Sequence, residues 1–233
     1  HLSANRGTKS ASERLKEHLT DWDVRLVSGY PNRLLRLLDI SWLLVRSSFD
    51  VVHVDVFSGP AFGLADVASL IARTKREPVV MTLRGGALPE RFQKNREQYL
   101  RVFQRGELLQ SPSRYLKRFF EEEAGLSVSY LPNFIDSQAF SYRLPARSMN
   151  RILWVRAFSR RYRPDLALQV LAVLARQGKD VSLTMVGPDL GERAATEALA
   201  EDMGVRDRVL FPGIVRNEDL VSYYHSHSVF LNT

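Results

Sequence analysis

Cysteine is absent from the 233 residues, which excludes a disulfide framework, a thiolate metal site and a cysteine nucleophile. That fits a reducing compartment. Long apolar runs are absent too. The nearest candidate, Leu34 to Val45, is interrupted by Arg36 and Asp39 and falls short of the roughly 18 residues of a membrane span. No signal-peptide pattern stands at the N-terminus. The chain opens at His1 without a methionine and stops on the apolar run Phe230-Leu231-Asn232-Thr233, so a piece of a longer protein is expected. One more absence is local: between Asp136 and Asp165 there is no acidic residue, while Arg143, Arg147, Arg151, Arg156, Arg160, Arg161 and Arg163 all fall in that stretch.

What remains is ordinary for a folded chain: 45% hydrophobic, 25% charged and 10% aromatic, which excludes a disordered or collagen-like polymer. The net charge of +7 attracts phosphates of any kind. Strand-like and helix-like segments alternate. Helices are expected at Ser10–Thr20, residues 31–47, Pro60–Thr74, through the nineties, and from Pro112 to Glu123. Strands are expected at Trp22–Val27, Val51–Val56, Val79–Leu83, Leu108–Leu109 and Val128–Leu131. After a polar, aperiodic stretch at 137–149, a second block alternates strands Ile152–Val155, Val181–Val186, Val209–Phe211 and Val229–Leu231 with helices Pro164–Gln177, Glu192–Met203 and Glu218–His225. Strands separated by helices mean βαβ units and parallel sheets, with ligands at the carboxyl ends of the strands.

Several short motifs fall at those ends. They are Arg6-Gly7-Thr8; Asp50-Val51-Val52-His53 leading to Phe57-Ser58-Gly59; Thr82-Leu83-Arg84-Gly85-Gly86; and Ser111-Pro112-Ser113-Arg114-Tyr115-Leu116. Leu131-Pro132-Asn133-Phe134-Ile135-Asp136, Val186-Gly187-Pro188 and Leu210-Phe211-Pro212-Gly213 follow. In order and spacing they resemble glycosyltransferase family 4, retaining enzymes of the GT-B fold.

The resemblance implies an α/β protein of two Rossmann-like, doubly wound parallel-sheet domains. Residues 1–141 would form the acceptor-side domain, with its first strand mostly missing. Residues 142–149 would be a linker, and 150–233 the incomplete nucleotide-sugar domain. It implies donor or phosphate contacts at Gly7, Arg84, Gly85, Gly86, Arg156, Arg160, Arg161, Gly187, Gly213 and Ile214. Gly7 reads equally as a turn glycine, and Arg84 as an exposed arginine beside a turn. Relatives commonly carry a histidine at the Arg84 position, near the transferred sugar; arginine stays charged and is no general base, but it suits a phosphate or an acidic sugar.

In most relatives the loop after the first strand of the second domain carries Gly-Arg and then Lys-Gly, which grip the donor diphosphate. Here Arg156, Ala157 and Tyr162 stand at the glycine, arginine and lysine positions, so Arg156, Arg160 or Arg161 takes over that task, or the loop is simply solvated. The family's catalytic glutamate pair is expected beyond Thr233, and no catalytic residue is assigned here.

His53, inside an apolar strand, reads as a core histidine; His225 and His227 lack a third partner for a metal site. The resemblance implies sugar transfer with retention in glycan or polysaccharide biosynthesis, with no cofactor or metal, because basic side chains and a helix N-terminus stabilise the leaving diphosphate. The partners implied are a nucleotide-sugar donor and a saccharide or lipid-linked acceptor, in the cytoplasm or peripherally at the inner face of a membrane. Residues 31–46, with Arg33, Arg36, Trp42 and Arg46, are the candidate membrane contact, against a helix packed on the sheet. A nucleic-acid partner is not expected, because no aromatic-and-basic stacking motif occurs. The alternative is a non-catalytic nucleotide- or sugar-binding relative, for which the departures at Arg84, Ala157 and Tyr162 speak.

Overall fold

The structure is a computed structural model that describes residues 10–134, 138, 140–143 and 150–233. Gly7 and residues 144–149 of the expected linker lie outside them. The described chain divides into two compact units, one ending at Phe134 and one running to Thr233.

The first unit is built on strands β1 (Val52–Val56), β2 (Val79–Leu83), β3 (Leu108–Ser111) and β4 (Val128–Tyr130), all parallel and in that spatial order. Val52, Val54, Val56, Val79, Met81, Leu83, Leu109 and Val128 are buried, and they form one core with the apolar faces of the helices. Those helices are α2 (Arg33–Arg46), α3 (Phe62–Thr74), α4 (Leu88–Lys94), α5 (Arg96–Phe103) and α6 (Arg114–Ala124). A knot of rings from Phe62, Phe92, Tyr99, Phe103 and Phe120 fills the space between helices and sheet. Strand alternation places His53 and Asp55 on the opposite face, which α1 (Ala11–His18) reaches through Ser12. α1 opens on a capping box, Ser10 and Glu13 satisfying each other's backbone N–H groups.

Three expectations change here. Trp22–Val27 forms no ladder among the described residues, although its alternation is strand-like. A strand needs a partner for its backbone groups. This segment instead lines a groove of about 410 Å³ shared with the edge of β1, which among the described residues pairs with β2 alone. The helix through the nineties is two helices, because Asn95 leaves helical geometry (φ −140°, ψ 48°). Pro112 does not open α6: Ser113 is its cap, with the hydroxyl accepting from the Leu116 amide.

The second unit holds β5 (Arg151–Val155), β6 (Ser182–Val186), β7 (Val209–Gly213) and β8 (Val229–Phe230), parallel in the order β7-β6-β5-β8. The chain steps from β5 outward to β7 and returns to the other side of β5, so the winding reverses there. α7 (Pro164–Arg176) and α8 (Arg193–Asp202) cover one face with Ile152, Trp154 and Leu183, while α9 (Leu220–Ser226) covers the other with Leu153 and Val186. Trp154 is fully buried and donates its indole N–H to Thr233, whose hydroxyl donates to the Tyr162 carbonyl.

Candidate functional site

In an open parallel sheet the crevice for a ligand lies outside the carboxyl ends of the strands where the winding reverses. In the second unit that place is the end of β5, where residues 156–163 emerge. The loop is fastened to its neighbour: the Phe158 amide donates to the Pro188 carbonyl (2.8 Å), and the Leu190 amide to the Phe158 carbonyl (3.0 Å). Phe158 itself is fully buried, so the basic residues on either side of it turn outward.

Their charges are not equally available. Arg160 pairs with Glu192 at 3.0 Å and Arg163 with Asp165 at 2.8 Å. The Asp165 pKa is lowered, first by its hydrogen bond from Arg163. Arg156 donates through Nε and Nη2 to the neutral side-chain oxygen of Asn232 (3.1 and 2.7 Å), just past β8, and its guanidinium lies 5.3 Å over the Tyr162 ring. Arg161 is exposed and has no hydrogen-bond or ion-pair partner among the described residues. Arg156 and Arg161 therefore carry the uncompensated charge of the loop. A surface pair such as Arg160–Glu192 contributes only about 0–1 kcal/mol, so a dianion can recruit Arg160 as well.

Gly187 follows β6 at φ 152°, with its would-be Cβ 1.8 Å from the Arg156 carbonyl oxygen. Only glycine lets the two strand ends approach so closely. Its amide donates to the carbonyl of Gly213, itself at φ 83°. Ile214 next to it is exposed. Arg156, Gly187 and Gly213 thus meet at one sheet end, with Ile214 at its rim. Asp189 caps the start of α8 by accepting from the Gly191 and Arg193 amides, which lowers its pKa.

The first unit offers a different chemistry at the carboxyl ends of β1 and β2. Arg84 is no loose surface cation. Its Nε donates to Asp55 Oδ1 at 2.5 Å and its Nη1 to Asn133 Oδ1 at 2.7 Å. Ser12 Oγ donates to the other Asp55 oxygen at 2.6 Å. The two charged side chains are only 19% and 11% exposed. Burial alone would raise the Asp55 pKa, but the Ser12 hydroxyl and the Arg84 charge outweigh it and hold it below the usual carboxylate value. Gly85 is required by packing, since a Cβ there would stand 2.5 Å from the Ser58 amide nitrogen; Gly86 faces open space. His53 bonds through Nε2 to Thr82 Oγ1 (2.7 Å), which also accepts from Gln110. His53 is therefore not the core residue expected: it is exposed on the face of β1 away from the core, although desolvation of its ring lowers its pKa against the opposing pull of Asp55.

Sequence reasoning missed Asp55, Ser12 and Asn232, and named Asn133 only as part of the motif Leu131-Pro132-Asn133-Phe134-Ile135-Asp136. A signal for Asp55 existed: a carboxylate inside the β-branched run Val52-His53-Val54-Asp55-Val56 requires a partner.

His225 donates through Nε2 to the Ser141 carbonyl (2.8 Å), and His227 donates through Nδ1 to the Tyr223 carbonyl (2.7 Å) and bonds through Nε2 to Thr184 Oγ1 (2.8 Å). Among the described residues no helix is long and apolar enough to cross a membrane. Leu34, Leu35, Leu38, Trp42 and Val45 of α2 are nevertheless exposed together, with the Arg46 guanidinium 5.3 Å over the Trp42 ring. Arg36 does not share that outer face. It is buried and donates through Nε and Nη2 to the Tyr30 carbonyl (2.9 and 2.7 Å).

Comparison with known proteins bears on the fold and on the second unit. Residues 142–233, less than half of the chain, match the family described as glycosyl transferases group 1. No curated protein sequence matches the chain. A solved glycosyltransferase from Rickettsia africae ESF-5 is similar at 13% identity and TM-score 0.56, covering 94% of this chain and 62% of that one. The structure of TarM is similar at 10% identity and TM-score 0.60, over 84% and 39%. S. aureus MnaA, solved with UDP, is similar at 13% identity and TM-score 0.58, over 96% and 63%. The chain thus spans less than two thirds of the length of these proteins. At such identities the likeness establishes the fold alone: an α/β protein of parallel, Rossmann-like sheets.

Proposed function

We propose that this chain serves glycosyl transfer of the retaining, family 4 type. A hexosyl group passes from a nucleotide-sugar donor to a saccharide or lipid-linked acceptor, in glycan or polysaccharide biosynthesis on the cytoplasmic side. The observation that carries the reading is the β5 loop, with Arg156 and Arg161 uncompensated at the point where the winding reverses, next to the glycine-only positions Gly187 and Gly213. Two fixed cations there offset the charge of a leaving diphosphate, and backbone stripped of side chains admits the nucleotide. Fold alone does not choose this chemistry, since a UDP-N-acetylglucosamine 2-epimerase of Neisseria meningitidis shares it (16% identity, TM-score 0.53, over 86% of this chain and 60% of that one). The group 1 match over 142–233 favours transfer.

The test is titration of UDP and other nucleoside diphosphates into the 233-residue chain. Arg156→Ala and Arg161→Ala each lose a charge-assisted contact worth about 1.5–3 kcal/mol, so affinity should fall about tenfold or more. If neither variant weakens binding, the diphosphate assignment is wrong. Binding should survive chelation of divalent metals, since arginines supply the positive charge. We propose no turnover by residues 1–233 alone; sugar transfer above a buffer control would overturn that. The departures at Ala157 and Tyr162 favour a second reading, a binder without catalysis; a longer chain that binds donor yet never transfers sugar would support it.

The outer face of α2 supports a further contact, with an anionic membrane surface. Leucines and a tryptophan beside Arg33 and Arg46 are the composition of an interfacial helix. Liposome sedimentation should show binding that rises with anionic lipid and is lost in Leu38→Asp/Trp42→Asp; equal binding to neutral vesicles, or none, removes the contact.

A further inference from the structure

The cluster at the ends of β1 and β2 was expected to favour phosphate or an acidic sugar, on the strength of Arg84. Its geometry argues otherwise. The Arg84 charge is matched within one hydrogen bond by Asp55, and the pair is largely shielded from water. A second anion arriving here would meet the Asp55 carboxylate together with the guanidinium.

The hydrogen-bonding capacity left over is mixed. A guanidinium has five N–H donors, and the contacts to Asp55 and Asn133 engage one on Nε and one on Nη1. The remaining guanidinium donors, and the Asn133 amide donors, have no partner among the described residues. On the acceptor side, each Asp55 oxygen takes one bond, from Arg84 or Ser12, and keeps a further lone pair; the Ser12 oxygen keeps its own. Donors and acceptors therefore alternate within one rigid, net-neutral cluster. An anion uses donors only. A hydroxyl donates and accepts at once and uses both. Asp55 and Ser12 also line the groove of about 410 Å³ along β1, so the acceptor side of the cluster opens on space. Gly86, two residues after Arg84, is exposed, with nothing within 4 Å of where a Cβ would stand.

We propose that Ser12, Asp55, Arg84 and Asn133 form a hydroxyl-recognition site for a neutral saccharide, and that the Asp55–Arg84 pair selects against anionic sugars. The site rests on the sugar-transfer reading only in taking a saccharide as its polyol. It is contained in the first unit and is independent of the arginine loop.

The experiment follows the side-chain Nε–Hε resonance of Arg84 in the 233-residue chain. The probes are the neutral methyl glycosides of glucose, galactose and mannose, and the anions glucuronate and glucose 6-phosphate. At least one neutral glycoside should saturate the resonance, with every anion at least about tenfold weaker, since juxtaposed like charges are strongly penalised. In Asp55→Asn, Arg84 loses its counter-charge and the preference should reverse toward the anions. Because that variant risks its fold, Asn133→Ala, at an exposed position, provides a second reading; neutral-glycoside affinity should fall at least about threefold, the loss of one hydrogen bond. Tighter anion binding by the unaltered chain overturns the proposal. So does the absence of any neutral-glycoside response, or an equal loss of both classes in a folded Asp55→Asn. UDP titrated into the same sample reads the second unit separately, so failure of the donor reading and failure of this site are distinguishable.

Discussion

Replacing Gly187 by alanine tests whether the approach of β5 and β6 at the site is as tight as the backbone implies. The added methyl would lie 1.8 Å from the Arg156 carbonyl oxygen, where contacts under 3.0 Å are essentially never seen. The obstacle is main chain, so no side-chain rotation relieves it. Relief requires moving the β5 loop, which the Phe158–Pro188 and Leu190–Phe158 backbone bonds hold in place. Overpacking of this kind costs about 1–3 kcal/mol, and a non-glycine residue held at positive φ adds about 1–3 kcal/mol. A total of about 2–6 kcal/mol is a large part of the 5–15 kcal/mol that typically holds a domain together. The assay is urea unfolding read by Trp154, the buried tryptophan of the second unit, in a Trp22→Phe/Trp42→Phe background that removes the two exposed indoles. The midpoint should fall sharply while circular dichroism from the first unit persists. Gly86→Ala, with nothing within 4 Å of its Cβ, is the control and should shift stability by no more than about 0.5 kcal/mol. A Gly187→Ala protein within that same range would refute the reasoning, and with it the claim that backbone closeness shapes this site.

Other expectations follow from packing and titration. Phe120 is fully buried among Phe92, Phe103 and Phe119, so Phe120→Ala should destabilise the first unit by about 3–5 kcal/mol; a loss under about 1 kcal/mol in chemical denaturation would mean the ring knot is not load-sharing. His227 has its pKa lowered, chiefly by burial. The unfolded chain then binds more protons between the folded pKa and about 6.5, so stability is full above that value and falls as pH drops through the window. The Trp154-reported melting midpoint should decline on acidification through this range, and His227→Gln should flatten the slope; an unchanged slope would count against the histidine. Ser10→Ala removes the α1 capping box and should cost about 0.5–2 kcal/mol locally, seen as faster amide exchange at residues 11–18.

Most of the fold was legible because burial on both faces writes itself into β-branched runs such as Val79–Leu83, and the end of α7 into Gly178, at φ 73°. The errors share a cause. Trp22–Val27 has the alternation of a strand, but alternation reports one buried face and is silent about whether a ladder partner exists. Asn95 carries no strong breaker signal, and the split of α4 from α5 comes from its backbone angles. The site was legible only as a set of strand ends. Its electrostatics were hidden, because compensation crosses the sequence: Arg84 meets Asp55 across 29 positions, and Arg160 meets Glu192 across 32. A stretch without acidic residues looks uniformly basic in one dimension, yet folding neutralises Arg160 and Arg163 and leaves Arg156 and Arg161 charged. The same reasoning turns Arg84 from an anion ligand into half of a neutral pair. Where charge remains uncompensated, a diphosphate is the fitting ligand; where it is cancelled but hydrogen-bonding capacity survives, a hydroxyl is.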